Sequence, residues 1–105
     1  WDKPASACLS SRFPYGTEIT PDRLKRVADA EGAVKALGVR QFRVRYHGKL
    51  ARLEIDPIEL EAVFANPKLR SDLVAACKGA GFLYVSIDLE GYRSGSANDA
   101  LVQIG

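Results

Sequence analysis

Cys8 is the side chain in this sequence best suited to covalent chemistry. It stands in the run Lys3-Pro-Ala-Ser-Ala-Cys8-Leu-Ser-Ser-Arg12, flanked by two cationic side chains four or five positions away. Nearby positive charge lowers a thiol pKa and favours the nucleophilic thiolate, although free cysteine also serves often as a small buried apolar residue. Arg43, Arg45 and Arg52 are a second group. Alternate residues of a strand share a face with the residues paired to them, and pairing Arg43 with Arg52 puts all three guanidiniums on one face, which predicts an anion site, or a solvated face with Glu54 and Asp88 as counter-charges. Gly91-Tyr-Arg-Ser-Gly-Ser96 is a third, combining Arg93, hydroxyls and glycines that leave backbone N–H groups accessible to a phosphate, in a run that also reads as an ordinary tail loop. The carboxylates Glu31, Glu54, Asp88 and Glu90 could converge on a metal or a proton, or be solvated counter-charges. Cys77, beside Leu73 and Val74 at helical spacing, reads as core, and His47, the single histidine, as a turn residue.

These groups need elements to position them. Residues 1–16 hold Pro4, Pro14 and Gly16 without periodicity and read as a loop entering from elsewhere. Thr17–Thr20 is expected as a short strand. Thr20 can then N-cap a helix with Pro21 at its first position, running through Leu24, Val27, Ala28, Val34 and Leu37 to Gly38. From Arg40 to Ile55 the period becomes two, with His47-Gly48 as the turn of a hairpin that pairs Tyr46 with Lys49, Arg43 with Arg52 and Gln41 with Glu54. Asp56-Pro57 opens a helix with Glu59 placed for a capping box, Asn66-Pro67 interrupts it, and a second stretch ends near Gly79. Phe82–Glu90 alternates as a last strand, and Ser96 can cap a terminal helix. The fold class expected is therefore α+β, a ferredoxin-like β-α-β-β-α-β order with helices on one face of a mixed or antiparallel sheet.

Composition narrows the function classes. The chain has 105 residues, 47% apolar, enough for one core, and a net charge of +2 that predicts no polyanionic partner. Neither a membrane span nor a signal peptide is legible, so a cytoplasmic protein without membrane or nucleic-acid partners is expected. Two cysteines without CxxC or Cys/His spacing exclude a disulfide framework and a zinc site.

Three segments together carry a family resemblance. Lys3-Pro-Ala-Ser-Ala-Cys8-Leu-Ser-Ser-Arg-Phe-Pro-Tyr-Gly16, Arg43-Val-Arg-Tyr-His-Gly48 with Ala51-Arg-Leu-Glu54, and Asp88-Leu-Glu-Gly-Tyr-Arg-Ser-Gly-Ser96 resemble, in order, the C-terminal half of LarE proteins. The resemblance implies an ATP-dependent sulfur transferase of the PP-loop ATP-pyrophosphatase group, working in nickel-pincer cofactor synthesis for lactate racemase maturation. In that scheme a carboxylate on a pyridinium mononucleotide is adenylated, and a cysteine attacks it and gives up its sulfur.

Carried onto this chain, the resemblance makes Cys8 the sulfur donor and Arg43, Arg45, Arg93, Ser96, Ser11 and Arg12 the substrate- and phosphate-binding residues. Glu54 falls at an acidic position linked to metal. With a single cysteine in the motif, single-use transfer is expected rather than an iron–sulfur cluster. The PP-loop Ser-Gly-Gly-x-Asp-Ser segment does not occur in these residues, so ATP and Mg would be held by an N-terminal domain outside the chain. The expected organisation is an active-site loop or linker over 1–16 and a C-terminal catalytic and oligomerisation domain over 17–105, inactive alone. The substrate would be a nucleotide-like small molecule and the assembly a homo-oligomer. The alternative is an oligomerisation domain like that of GMP synthetase, without chemistry of its own.

Overall fold

In the computed structural model, the structure describes residues 11–92. Cys8, Arg93, Ser96 and the expected terminal helix lie outside those residues.

Helix α1, Pro21–Ala36, starts as the sequence predicts. Thr20 Oγ1 accepts from the Arg23 amide at 3.2 Å, and Gly38, at φ +100°, turns the chain away after the last turn. Strand β1, Phe42–His47, forms a hairpin with β2, Leu50–Ile55. Helix α2, Pro57–Ala65, stops at Asn66, whose side chain caps α3, Pro67–Gly79, by accepting from the amides of Lys68 and Leu69. Strand β3, Tyr84–Ile87, completes a mixed sheet in the order β1-β2-β3, with β2 antiparallel to β1 and parallel to β3.

All three helices pack on one sheet face. Val27, Ala30 and Val34 of α1, Leu60 and Val63 of α2, and Leu73 and Cys77 of α3 meet Phe42, Val44, Tyr46, Ala51, Leu53 and Ile55. Burying each such side chain contributes roughly 1.5–3 kcal/mol, so this layer carries most of the cohesion and leaves the opposite face open. The α+β class stands. Among the described residues no helix is long and apolar enough to cross a membrane.

Four expectations change in detail. Thr17–Thr20 forms no strand: Thr20, in extended conformation, serves as a helix cap, and the described residues hold three strands. The hairpin loop is Gly48-Lys49, closed by His47 opposite Leu50. Gly48 takes φ +63° and Lys49 needs no positive φ, the arrangement a type II′ turn asks for, whereas a His47-Gly48 loop would put glycine in the second place. Arg45 therefore opposes Arg52 and Arg43 opposes Glu54. The slip preserves parity, so the same side chains stay on the open face. Glu59 makes no capping box: the Asp56 amide already donates to Gln41 O, and the Glu59 carboxylate accepts instead from the amides of Arg40 and Gln41, both at 2.9 Å. The last strand covers only Tyr84–Ile87, since Leu89 and Glu90 belong to a turn that Gly91 closes by donating to Asp88 O at 3.0 Å.

Candidate functional site

On the open face, β1 presents Arg43, Arg45 and His47, and β2 presents Leu50, Arg52 and Glu54. Parallel pairing of Arg52 with Ser86 adds β3 on the same side, and Asp88 follows two residues later. Glu54 is the hub. Its side chain is only 9% exposed, with Arg45 Nη2 at 2.9 Å from Oε1 and Arg52 Nη1 at 3.0 Å from Oε2. The contact to Oε1 is a charge pair without an N–H aligned on it, so that oxygen has no hydrogen-bond donor among the described residues. Arg52 also donates to Asp88 Oδ2 through Nη1 and to His47 Nε2 through Nε, the latter at 3.3 Å. The counter-charge role for Glu54 and Asp88 is therefore present in the structure, and it orders the arginines rather than leaving them solvated.

Arg43 differs from its neighbours. Its Nη1 donates to Phe42 O at 3.0 Å and its guanidinium lies 4.8 Å over the Tyr92 ring, with no carboxylate in contact among the described residues. Tyr92 is held there by its backbone: its amide donates to Ile55 O at 2.8 Å. Gly91 makes that approach possible, since it takes φ +81° and a Cβ on it would stand 2.5 Å from Ile55 O.

A cleft of about 470 Å³ opens beside Arg45, lined by Ser11, Arg12, Arg45, His47, Arg52 and Glu54. Ser11 O accepts from Arg45 Nη1 at 2.9 Å, which ties the entering segment to the open face. Arg12, expected to bind phosphate, has its guanidinium on Glu31 of α1: Nε reaches Oε2 at 2.8 Å and Nη2 reaches Oε1 at 3.3 Å. His47 is held below the usual imidazole range, first by burial and then by Arg52, with Glu54 opposing and Arg45 assisting. It stands in the cleft as a neutral ring whose Nε2 accepts.

Arg43, Arg45 and Glu54 are thus brought to one face together with Ser11. Cys8, Arg93 and Ser96 adjoin the two ends of the described chain, one beyond Ser11 and one beyond Tyr92. Those ends meet neighbouring positions of β1, Ser11 at Arg45 and Tyr92 at Arg43. The surroundings of Glu54 do not fit a metal ion: two guanidiniums within 3.0 Å are the wrong charge, and the described residues hold no group of three or more His, Cys, Asp or Glu able to ligate one. Nor do Glu31, Glu54, Asp88 and Glu90 converge: Glu31 serves Arg12, Glu54 and Asp88 serve Arg52, and Glu90 is exposed in a turn. His47 was legible as a member of the face, since it follows Arg43 and Arg45 at a spacing of two; the role of Glu31 was not.

Comparison with known proteins adds to this site. Over 103 residues the chain is 48% identical to an uncharacterised protein of Synechocystis sp., matching 98% of this chain and 38% of that protein. It is 39% identical over 104 residues to the pyridinium-3,5-bisthiocarboxylic acid mononucleotide synthase of Lactiplantibacillus plantarum, again over 98% of this chain and 36% of the synthase. An uncharacterised protein of Methanocaldococcus jannaschii is 31% identical over 91 residues, 87% of this chain and 34% of its own length. The chain thus spans a little over a third of the length of these relatives. No protein-family model matches it.

Proposed function

We propose that the chain is the C-terminal part of a LarE-type ATP-dependent sulfur transferase, in which Cys8 gives its sulfur to an adenylated carboxylate on a pyridinium mononucleotide. The observation that carries this reading is the 39% identity, over 98% of the chain, to a protein named as the synthase of a bisthiocarboxylic acid mononucleotide. The product named for that relative contains two thiocarboxylic acids, so carboxylates must gain sulfur on the way to it.

The geometry suits such a step. Cys8 precedes Ser11 by three residues, and covalent geometry keeps its Cα within about 11 Å of the Ser11 Cα. Ser11 itself is held at Arg45, and positive charge of that kind near a thiol favours thiolate. Arg43, which has no carboxylate partner among the described residues, and Arg93, one residue beyond Tyr92, supply charge for the phosphate of the nucleotide. Ser96 follows in the same glycine-rich run, and Ser11 offers a hydroxyl on the other side. Arg45 and Arg52, ordered by Glu54, supply positive charge for the oxyanion that develops on the acyl oxygen. Activation by ATP and Mg belongs to a preceding domain in the longer parent.

The test uses that parent with ATP, magnesium and the carboxylated precursor, followed by intact mass and peptide mapping. Loss of about 34 Da at Cys8 is the expected result, because sulfur and two hydrogens leave when cysteine becomes dehydroalanine. Substrate adenylation with no change at Cys8 would remove the donor role. A second reading, a self-association domain, draws on the outer edge of β3, which pairs with no further strand among the described residues, and on Leu83, Tyr84 and Leu89, all more than half exposed. Both roles fit one protein, and a solution mass above that of the monomer, lost when Leu83 and Tyr84 become charged, is the result expected of it.

A further inference from the structure

We infer that Arg12 and Glu31 form a positioning clamp, which holds residues 11–13 on the outer edge of β1 and so fixes the point on the fold to which the preceding residues are tethered. This inference rests on the reading of Cys8 as sulfur donor. Among the described residues β1 is an edge strand, and the amides of Val44 and Tyr46 point outward with no described strand to receive them. Each is satisfied in its own way. Val44 N–H donates to Glu31 Oε2 at 3.0 Å, a side chain reaching across from α1. Tyr46 N–H donates to Arg12 O at 2.8 Å, the backbone of the entering segment. The Arg12 guanidinium then joins the two acceptors, with Nε and Nη2 on the Glu31 carboxylate and Nη1 on Ser11 Oγ at 2.9 Å.

Phe13 locks the other side of Arg12, its ring 4.8 Å from that of Tyr46. At Ser11 the segment passes from the strand edge to the open face, where Arg45 takes its carbonyl. One carboxylate thus fixes the edge and the guanidinium, and the guanidinium fixes the segment. Arg12 is 8% exposed, and its contacts to Glu31 and Ser11 hold the position of its own backbone. A small misplacement of a nucleophile suffices to slow transfer by about a hundredfold.

Three variants of the full-length parent test this: Glu31→Gln, Arg12→Met, and the pair combined. The double variant removes both charges with little change of volume, so it keeps the fold where a single change leaves one charge buried and unpaired. Thermal melts establish which variants are folded at the assay temperature, and pyrophosphate release and mass loss at Cys8 are then followed in the same reaction, because adenylation frees pyrophosphate whereas AMP leaves only when the thiol attacks. In folded variants the rate at which Cys8 loses about 34 Da is expected to fall at least about tenfold relative to the rate of pyrophosphate release. Sulfur loss at the wild-type rate, or a fall in pyrophosphate release and sulfur loss in equal proportion, overturns the clamp. A wild-type parent that releases pyrophosphate and never loses mass at Cys8 overturns the donor reading, and the clamp with it.

Discussion

Among single residues, Gly91 and Cys77 show how differently two small side chains are constrained. Gly91→Ala would force an L residue to φ +81° and drive its Cβ to 2.5 Å from Ile55 O. Strain of that kind costs about 2–3 kcal/mol, read as a lower urea midpoint, and it also moves Tyr92 from beneath Arg43. Cys77 is fully buried on α3, and burial pushes its thiol up to about 11. Iodoacetamide at pH 8 should therefore leave it unmodified in the folded protein and label it in urea; labelling under native conditions would mean that α3 opens readily. Core packing for Cys77 followed from its helical spacing beside Leu73. The 2.5 Å approach at Gly91 had no sequence signal beyond the glycine itself.

Within the elements, helix ends were legible and pairing was not. Asn66 closes α2 and caps α3, so Asn66→Ala should lower unfolding free energy by about 1 kcal/mol with α3 fraying first, checked by denaturation and amide exchange. Thr20, Asp56 and Asn66 all announce themselves by residue type followed by proline. The hairpin register was not legible in detail, since His47-Gly48 and Gly48-Lys49 are both two-residue loops and the choice turns on which place glycine must occupy. That choice set Arg45 opposite Arg52 and brought His47 to Arg52 Nε. Because the folded protein holds the His47 pKa below the ordinary 6.5, the unfolded chain takes up the proton first as pH falls. The corresponding stability is complete above about 6.5 and is lost as pH drops through that value toward the folded pKa. Urea unfolding at pH 7.5 and 5.5 should show the decrease, and His47→Gln should reduce it; a variant with the same decrease would place its origin elsewhere.

For the whole molecule, the one-sided packing of helices on the sheet leaves the charged face accessible and sends both ends of the described chain to it. Since the relatives are nearly three times as long as their match to this chain, the chain alone with ATP and the precursor should release no pyrophosphate while the longer parent does, measured by a coupled phosphate assay. Pyrophosphate release by the chain alone would place ATP chemistry within these residues. The sequence by itself determined the α+β class, the three helices and the two-sided character of the hairpin, because periodicity and caps are written in neighbouring residues. Only the tertiary structure decided that Arg12 pairs with Glu31, that Glu54 orders Arg45 and Arg52, and that Arg43 rests on Tyr92. Apart from Arg52 and Glu54, which are strand neighbours two positions apart, those contacts join residues 9 to 49 positions apart, and the distances that select them exist only once the core has brought α1, the sheet and the turn after β3 together.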